Sequence, residues 1–300
     1  LRRLCQEALP RRYGEASARV QEQLRHELEV IEAAHLSNYF LIVWDIVRFA
    51  REQGIRCQGR GSAANSLVAY LLHISPVDPI AQDLVFERFL SRERQATPDI
   101  DIDFDAQRRE EVIQYIYQTY GADHAAMAST FVTFRTRSAI RDIGKALGLA
   151  PHVVATAVHA IEHGDSAALA DAADQNTVKL LLELSHQIEG FPRHLGIHSG
   201  GMVITGAPLM GRVPTEPATM QDRVVAQWDK EGLEDVGLVK IDILGLRMLS
   251  AISDAVGLIA ESEGVAPDID GLTFTDPAVY QMISEDDTIG VFQVESRAQA

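Results

Sequence analysis

A mixed α/β (α+β) fold is predicted for this 300-residue chain by three observations. Residues 98–104, Pro98-Asp99-Ile100-Asp101-Ile102-Asp103-Phe104, alternate acidic and apolar side chains strictly, which is the period of a β-strand. Residues 236–244 are apolar enough to form a strand buried on both faces. Between and before them, apolar residues recur at helical spacing, as with Val20, Leu24, Leu28 and Ile31.

In chain order, residues 17–36 read as an amphipathic helix and residues 39–53 as a strongly apolar one that closes at Gly54. The aromatic run from Tyr39 to Trp44 belongs to a core rather than to a base-stacking platform, because it is apolar on every side. The stretch Gly59-Arg60-Gly61-Ser62-Ala63-Ala64-Asn65-Ser66 then leads into an apolar segment, Leu67–Leu72. Glycines ahead of a helix let the backbone approach a ligand, and free N–H groups at a helix start favour an anion. With Ser62 as the expected cap and Arg60 as a fixed positive charge, this is a candidate phosphate loop. It is neither a Walker A loop nor a dinucleotide fingerprint, since the required Lys and third Gly are absent.

A Pro- and charge-bearing connection fills residues 76–97, with a short helix around Leu84–Leu90. The acidic strand follows. Its alternation sends Asp99, Asp101 and Asp103 to one face and Ile100, Ile102 and Phe104 to the other. Carboxylates two apart on a strand lie roughly 7 Å from each other and repel, so the row calls for a cation, such as a divalent metal ion. A calcium loop of the EF-hand kind needs Gly at its sixth position, where this chain has Phe104, although Glu110 fits the twelfth.

A helix over 107–120 turns Val112, Ile113, Ile116 and Tyr120 inward. The next one carries Arg137, Arg141 and Lys145 at four-residue intervals, a single-sign stripe suited to backbone phosphate, opposite Ala139, Ile140, Ile143 and Leu147. Two more helices lie within 151–189 around an acidic, Ala-rich link. Residues 190–201 read as a glycine-rich loop before a strand at 202–205, with Arg193 and His198 as candidate phosphate or base contacts. Strands at 224–228 and 236–244 follow, then a helix over 246–263 and a loop-rich tail. Asp242 lies inside the apolar strand and shares a face with Lys240. The two form either a plain buried ion pair or, with the acidic strand, a metal site completed by a third carboxylate.

The bulk composition narrows the class. An apolar fraction of 46% supports a folded core, and no apolar run suits a membrane span. Two cysteines are too few for a disulfide scaffold or a four-Cys zinc site, which suits a reducing cytoplasm. A net charge of −16 argues against nonspecific coating of nucleic acid but leaves a local grip open. The chain reads as an internal piece of a longer protein. A glycine-rich loop, a basic helix and strand carboxylates describe two-metal phosphoryl chemistry, with polymerase and nuclease both open at this point.

Gly59–Ser66, Pro98–Phe104 and Gly237-Leu238-Val239-Lys240-Ile241-Asp242-Ile243-Leu244-Gly245-Leu246, in this order, resemble the bacterial C-family DNA polymerases, the DNA polymerase III alpha subunits. Pro192–Ile204 and Gln227-Trp228-Asp229-Lys230 are more similar to the error-prone branch than to the main replicative subunit, which is the alternative. The resemblance implies a polymerase-β-like nucleotidyltransferase palm with a mixed sheet, at 1–130 and 198–247. A helical thumb would be inserted at 131–197 and the start of the fingers would occupy 248–300. It implies Asp99, Asp101 and Asp242 as catalytic ligands of two Mg²⁺ ions, with Asp103 less clearly catalytic. Arg60, Gly61, Ser62, Lys240 and Arg297 would face the nucleotide, and Arg137, Arg141, Lys145, Arg193 and His198 the DNA. The implied activity is template-directed addition of dNMP to a primer 3′-OH with release of pyrophosphate, in error-prone or translesion repair synthesis. The implied partners are primer–template DNA and dNTP, with a sliding clamp and accessory repair proteins bound through parts outside this chain. The implied location is the bacterial cytoplasm, and the piece alone is expected to lack full activity. Two further readings stay in view, a two-metal nuclease and a non-catalytic DNA-binding module.

Overall fold

The computed structural model describes all residues except 91–97, 99, 166–173, 221, 270, 273–274 and 295–300. The described chain divides into two compact units. One comprises Leu1–Ala126, Ser199–Arg212 and Glu234–Ala300, and the other Met127–His198 and Val213–Leu233.

The first unit begins with three helices, α1 (Arg2–Tyr13), α2 (Ala18–Ala33) and α3 (Ser37–Glu52). The expected stripe of Val20, Leu24, Leu28 and Ile31 is buried, and so are Tyr39, Phe40, Val43, Ile46 and Val47 of α3. Strand β1 (Cys57–Arg60) leads through a 3-10 turn, Gly61–Asn65, into the short helix α4 (Leu67–Leu71). The acidic strand is β2 (Asp101–Asp105), followed by α5 (Arg109–Tyr120). The alternation holds: Ile100, Ile102 and Phe104 are fully buried in the core. In α5, Val112, Ile113 and Ile116 are buried as expected, whereas Tyr120 is half-buried and Tyr117 takes the inward place. The phenol of Tyr120 reaches Asp45 at 2.9 Å instead, which keeps its polar end satisfied.

Strand β3 (Ala125–Thr133) runs from the first unit into the second. There it is followed by α6 (Thr136–Ala146), α7 (Pro151–His163) and α8 (Gln175–Ile188). Ile140, Ala157, Val158, Ala160 and Leu181 form the core of these helices. The chain returns through β4 (Pro192–Ile204), then β5 (Thr215–Pro217), β6 (Val224–Ala226), α9 (Lys230–Asp235), β7 (Lys240–Leu246), α10 (Arg247–Glu263) and α11 (Pro277–Ser284).

In the first unit the strand order is β1-β2-β7-β4. Strands β1 and β2 are antiparallel, β2 and β7 parallel, and β7 and β4 antiparallel. The sheet is therefore mixed, as expected. In the second unit, β6 pairs with β3 in parallel and with β5 antiparallel.

Three expectations are corrected. The glycine-rich segment 190–201 is not a loop; most of it belongs to the 13-residue strand β4. Its glycines serve close backbone approach, since a Cβ on Gly200 would lie 2.6 Å from the Ile243 carbonyl oxygen. The apolar strand starts at Lys240 rather than at 236, because Gly237 takes a left-handed φ of 69° in the turn that ends α9. The tail read as loop-rich contains α11, capped by the Asp276 carboxylate on the Ala278 N–H. No single described helix is long and apolar enough to cross a membrane.

Candidate active site

The parallel pairing of β2 with β7 sets Asp101 directly opposite Asp242. Neighbouring strands lie roughly 5 Å apart and paired residues share a face, so two carboxylates from distant parts of the chain stand side by side. The row continues on both sides: Arg60 pairs with Asp101 from β1, and Gly201 pairs with Asp242 from β4. Gly201 brings no side chain to the row.

Several groups hold the backbone of this row. The Asp242 N–H donates to the Ile100 carbonyl at 3.4 Å. The Tyr39 phenol accepts from the Ile100 N–H at 3.2 Å and donates to the Lys240 carbonyl at 3.5 Å, linking the start of both strands. At the other end the Arg109 guanidinium donates to the Ile243 carbonyl at 2.8 Å and to the Ser199 carbonyl. Neither Tyr39 nor Arg109 is marked by sequence pattern alone, because a buried phenol and a helix-start arginine look like ordinary core and surface residues.

The charges are opposed in pairs. The Lys240 ammonium, only 6% exposed, is hydrogen-bonded to Asp242 Oδ2, so the predicted shared face is real and the two form a buried ion pair. The Arg60 guanidinium lies 3.8 Å from the Asp101 carboxylate and 3.5 Å from that of Asp103. Burial pushes the Asp103 carboxyl above the usual carboxylate range, and Arg60 only partly offsets it. Asp105, next on the same face, is also desolvated by burial. Hydrogen bonds from the Ser250 hydroxyl at 2.6 Å and the Gln107 N–H at 2.9 Å outweigh that and hold its carboxyl below the usual range. Three described carboxylates, Asp101, Asp103 and Asp242, thus face two cations. Asp99 and Arg297 lie outside the described residues.

The donor set fits magnesium. Asp101 and Asp242 offer hard carboxylate oxygens, and Asp101 is partly exposed. Among the described residues no group of three or more His, Cys, Asp or Glu side chains is placed to hold a metal ion. Magnesium does not need one, since it keeps several waters and takes one or two carboxylates together with substrate phosphates.

The glycine loop is placed differently from expectation. Gly61, with a φ of 67°, opens the 3-10 turn immediately after Arg60, so the loop does start beside Asp101. The helix after it is capped by Ser66, not Ser62. Its first N–H groups are taken by Glu27, a fully buried carboxylate on α2 that accepts from Leu67 and Val68. The acceptor at that helix start is therefore already supplied by the chain.

The predicted DNA contacts lie in the second unit. Arg137, Arg141 and Lys145 line one side of a groove of about 530 Å³ between α6 and α7, with Leu149, Val154 and Val158 beneath. Arg137 is bonded to Glu162 and Arg193 to Asp142 at 2.7 Å, so both charges are spent within the unit. Among the described residues Arg141 and Lys145 have no such ion pair. His198 lies half-exposed on β4.

The family description "Bacterial DNA polymerase III alpha NTPase domain" matches residues 1–245, and "Bacterial DNA polymerase III alpha subunit finger domain" matches 248–300. The chain belongs to the bacterial DNA polymerase III alpha family. Among curated relatives it is 49% identical to an Error-prone DNA polymerase of Anaeromyxobacter sp. (strain K) and 48% identical to one of Methylococcus capsulatus. It is also 48% identical to one of Mycobacterium tuberculosis (strain ATCC 25618 / H37Rv). Each match covers the whole chain but only 27–29% of the relative, so this alpha-family chain spans little more than a quarter of their length.

Proposed function

We propose that this chain carries the catalytic centre of a DNA-directed DNA polymerase of the error-prone branch, which extends a primer by two-metal nucleotidyl transfer. The observation that supports it best is the in-register pair Asp101 and Asp242 on adjacent parallel strands. The name these relatives share, Error-prone DNA polymerase, supports the branch.

On this reading residues 1–130 and 198–247 are the palm, 131–197 the helical thumb and 248–300 the start of the fingers. Asp101 and Asp242, with Asp99, would hold two Mg²⁺ ions, which when bound lower the pKa of the primer hydroxyl and neutralise the triphosphate and leaving pyrophosphate. The chain's own residues supply position and charge. The β2–β7 ladder fixes the spacing of the two carboxylates. Lys240 holds Asp242 Oδ2 in a buried ion pair and so fixes the direction of that carboxylate. Arg60, beside Asp101 in the row, would meet the triphosphate together with Gly61 and Ser62, which follow it. Arg297 would face the same triphosphate from the fingers. Primer–template DNA would contact Arg141 and Lys145 on the thumb groove, with Arg137, Arg193 and His198 as weaker contributors. Clamp and accessory repair partners would bind elsewhere in the full-length protein, which would act in the bacterial cytoplasm.

The test is primer extension by the full-length protein with Mg²⁺ and dNTP. Asp101→Asn and Asp242→Asn are each expected to abolish extension while the protein still binds DNA. Primer degradation without nucleotide incorporation would replace this reading with the two-metal nuclease, and normal extension by either variant would remove the site.

A further inference from the structure

We propose that Glu27 is a positioning residue for the incoming nucleotide: it clamps the far end of the loop that carries Arg60, Gly61 and Ser62. This rests on the polymerase reading of that loop. The near end of the loop is fixed by the sheet, where Arg60 pairs with Asp101. The far end is Ser66, whose N–H donates to the Ala63 carbonyl at 3.1 Å. The Ser66 hydroxyl donates to Glu27 Oε2 at 2.8 Å and accepts from the Ala69 N–H at 3.1 Å. Glu27 also accepts from the Leu67 N–H at 2.9 Å and the Val68 N–H at 3.0 Å. Gln23, one turn earlier on α2, donates to Glu27 Oε1 at 2.9 Å and orients it. One carboxylate on a long, well-packed helix thus holds three consecutive residues, Ser66, Leu67 and Val68, at the loop's exit.

A fully buried carboxylate is costly, and this one sits on the apolar stripe of α2, between Leu24 and Leu28. A plain helix cap needs only the Ser66 hydroxyl, which is already in place. The additional buried carboxyl group fixes where α4 begins, and through Ser66 and Ala63 it fixes the path of the 3-10 turn from Gly61. With Glu27 removed, one end of a five-residue turn is released while the other stays on the sheet, so Ser62 drifts from the triphosphate without disturbing Asp101 or Asp242.

The experiment is steady-state incorporation of dTTP opposite a template adenine by the full-length protein, for wild type, Glu27→Gln, Glu27→Ala and Ser66→Ala. The glutamine keeps one carbonyl oxygen for the Leu67 N–H but sets an amide N–H₂ against the Val68 N–H. The expected result is a KM for dTTP raised about tenfold in Glu27→Ala and about threefold in Glu27→Gln and Ser66→Ala, with kcat within about twofold of wild type. Partial unfolding would lower kcat through the active fraction and leave KM alone, so the split separates positioning from bulk stability. If Glu27→Ala does not fold, Glu27→Gln and Ser66→Ala decide. A KM for dTTP within about twofold of wild type in both would overturn the role of Glu27. A wild-type protein that incorporates no dTTP would instead strike the polymerase reading beneath it.

Discussion

Asp242→Asn tests the active-site electrostatics and the catalytic reading separately. The wild-type side chain meets two opposing charges. Lys240, buried with it, attracts it at hydrogen-bond contact, worth about 6 kcal/mol at an effective dielectric of about 20. Asp101, across the ladder at roughly 5 Å, repels it by about 3 kcal/mol on the same footing. Removing the charge at position 242 therefore costs a net of about 2–3 kcal/mol. Asp101→Asn relieves the same repulsion and gives up a partly exposed contact with Arg60 at 3.8 Å, so its Tm is expected to stay above that of Asp242→Asn. Both variants are expected to lose primer extension by a factor of about a thousand or more. The double variant Lys240→Met/Asp242→Asn should regain most of the lost stability and none of the activity, because the buried ammonium goes with its partner. The assays are thermal unfolding and primer extension on the same preparations. A lower Tm for Asp101→Asn than for Asp242→Asn would refute the charge accounting, and extension at the wild-type rate by either single variant would refute the catalytic one.

Three further outcomes follow from neighbouring features. Ser250→Ala removes the hydroxyl that holds the Asp105 carboxyl low and is expected to cost about 1–2 kcal/mol near neutral pH, read by urea unfolding. A carboxyl with a lowered folded pKa stabilises above its unfolded value and loses that contribution as pH falls through the folded one. The Ser250→Ala penalty should therefore shrink in acid below the usual carboxylate range, and a penalty independent of pH would sink the assignment. Gly200→Ala should destabilise by about 1–3 kcal/mol, since its Cβ would press on the Ile243 carbonyl, whereas Gly257→Ala on α10, facing open space, should be neutral or stabilising. Arg141→Ala/Lys145→Ala should flatten the salt dependence of DNA affinity by about two units of slope, and Arg137→Ala by less, because Glu162 already holds its charge. Equal slopes for all of them would show that the groove does not face phosphate.

Much of this was legible in the sequence because the controlling signals are local. Strict alternation at 98–104 sorts the β2 side chains between core and acidic face, and the structure buries Ile100, Ile102 and Phe104 as that pattern requires. The helical stripes of α2, α5 and α6 are of the same kind. What periodicity cannot carry is pairing. That Asp101 and Asp242 are register partners depends on two strands far apart in the chain, and only the three motifs taken together pointed to it. The short strands β1 and β5 were missed because three or four residues give no period to count.

Two of the misread segments share a cause: glycines were taken at face value. In β4, Gly196, Gly200 and Gly201 looked like loop residues, yet Gly200 is needed so that the strand can pass the Ile243 carbonyl. Ser62 looked like the helix cap because it follows two glycines, but the helix begins four residues later, where Glu27 can reach it. Glu27 itself was the visible clue. A glutamate at position 27 falls on the same stripe as Val20, Leu24, Leu28 and Ile31, and a charge on a buried stripe must be answered by donors from another element. Asking what answers it leads to Ser66, Leu67 and Val68, and so to the turn that begins at the acidic strand's neighbour.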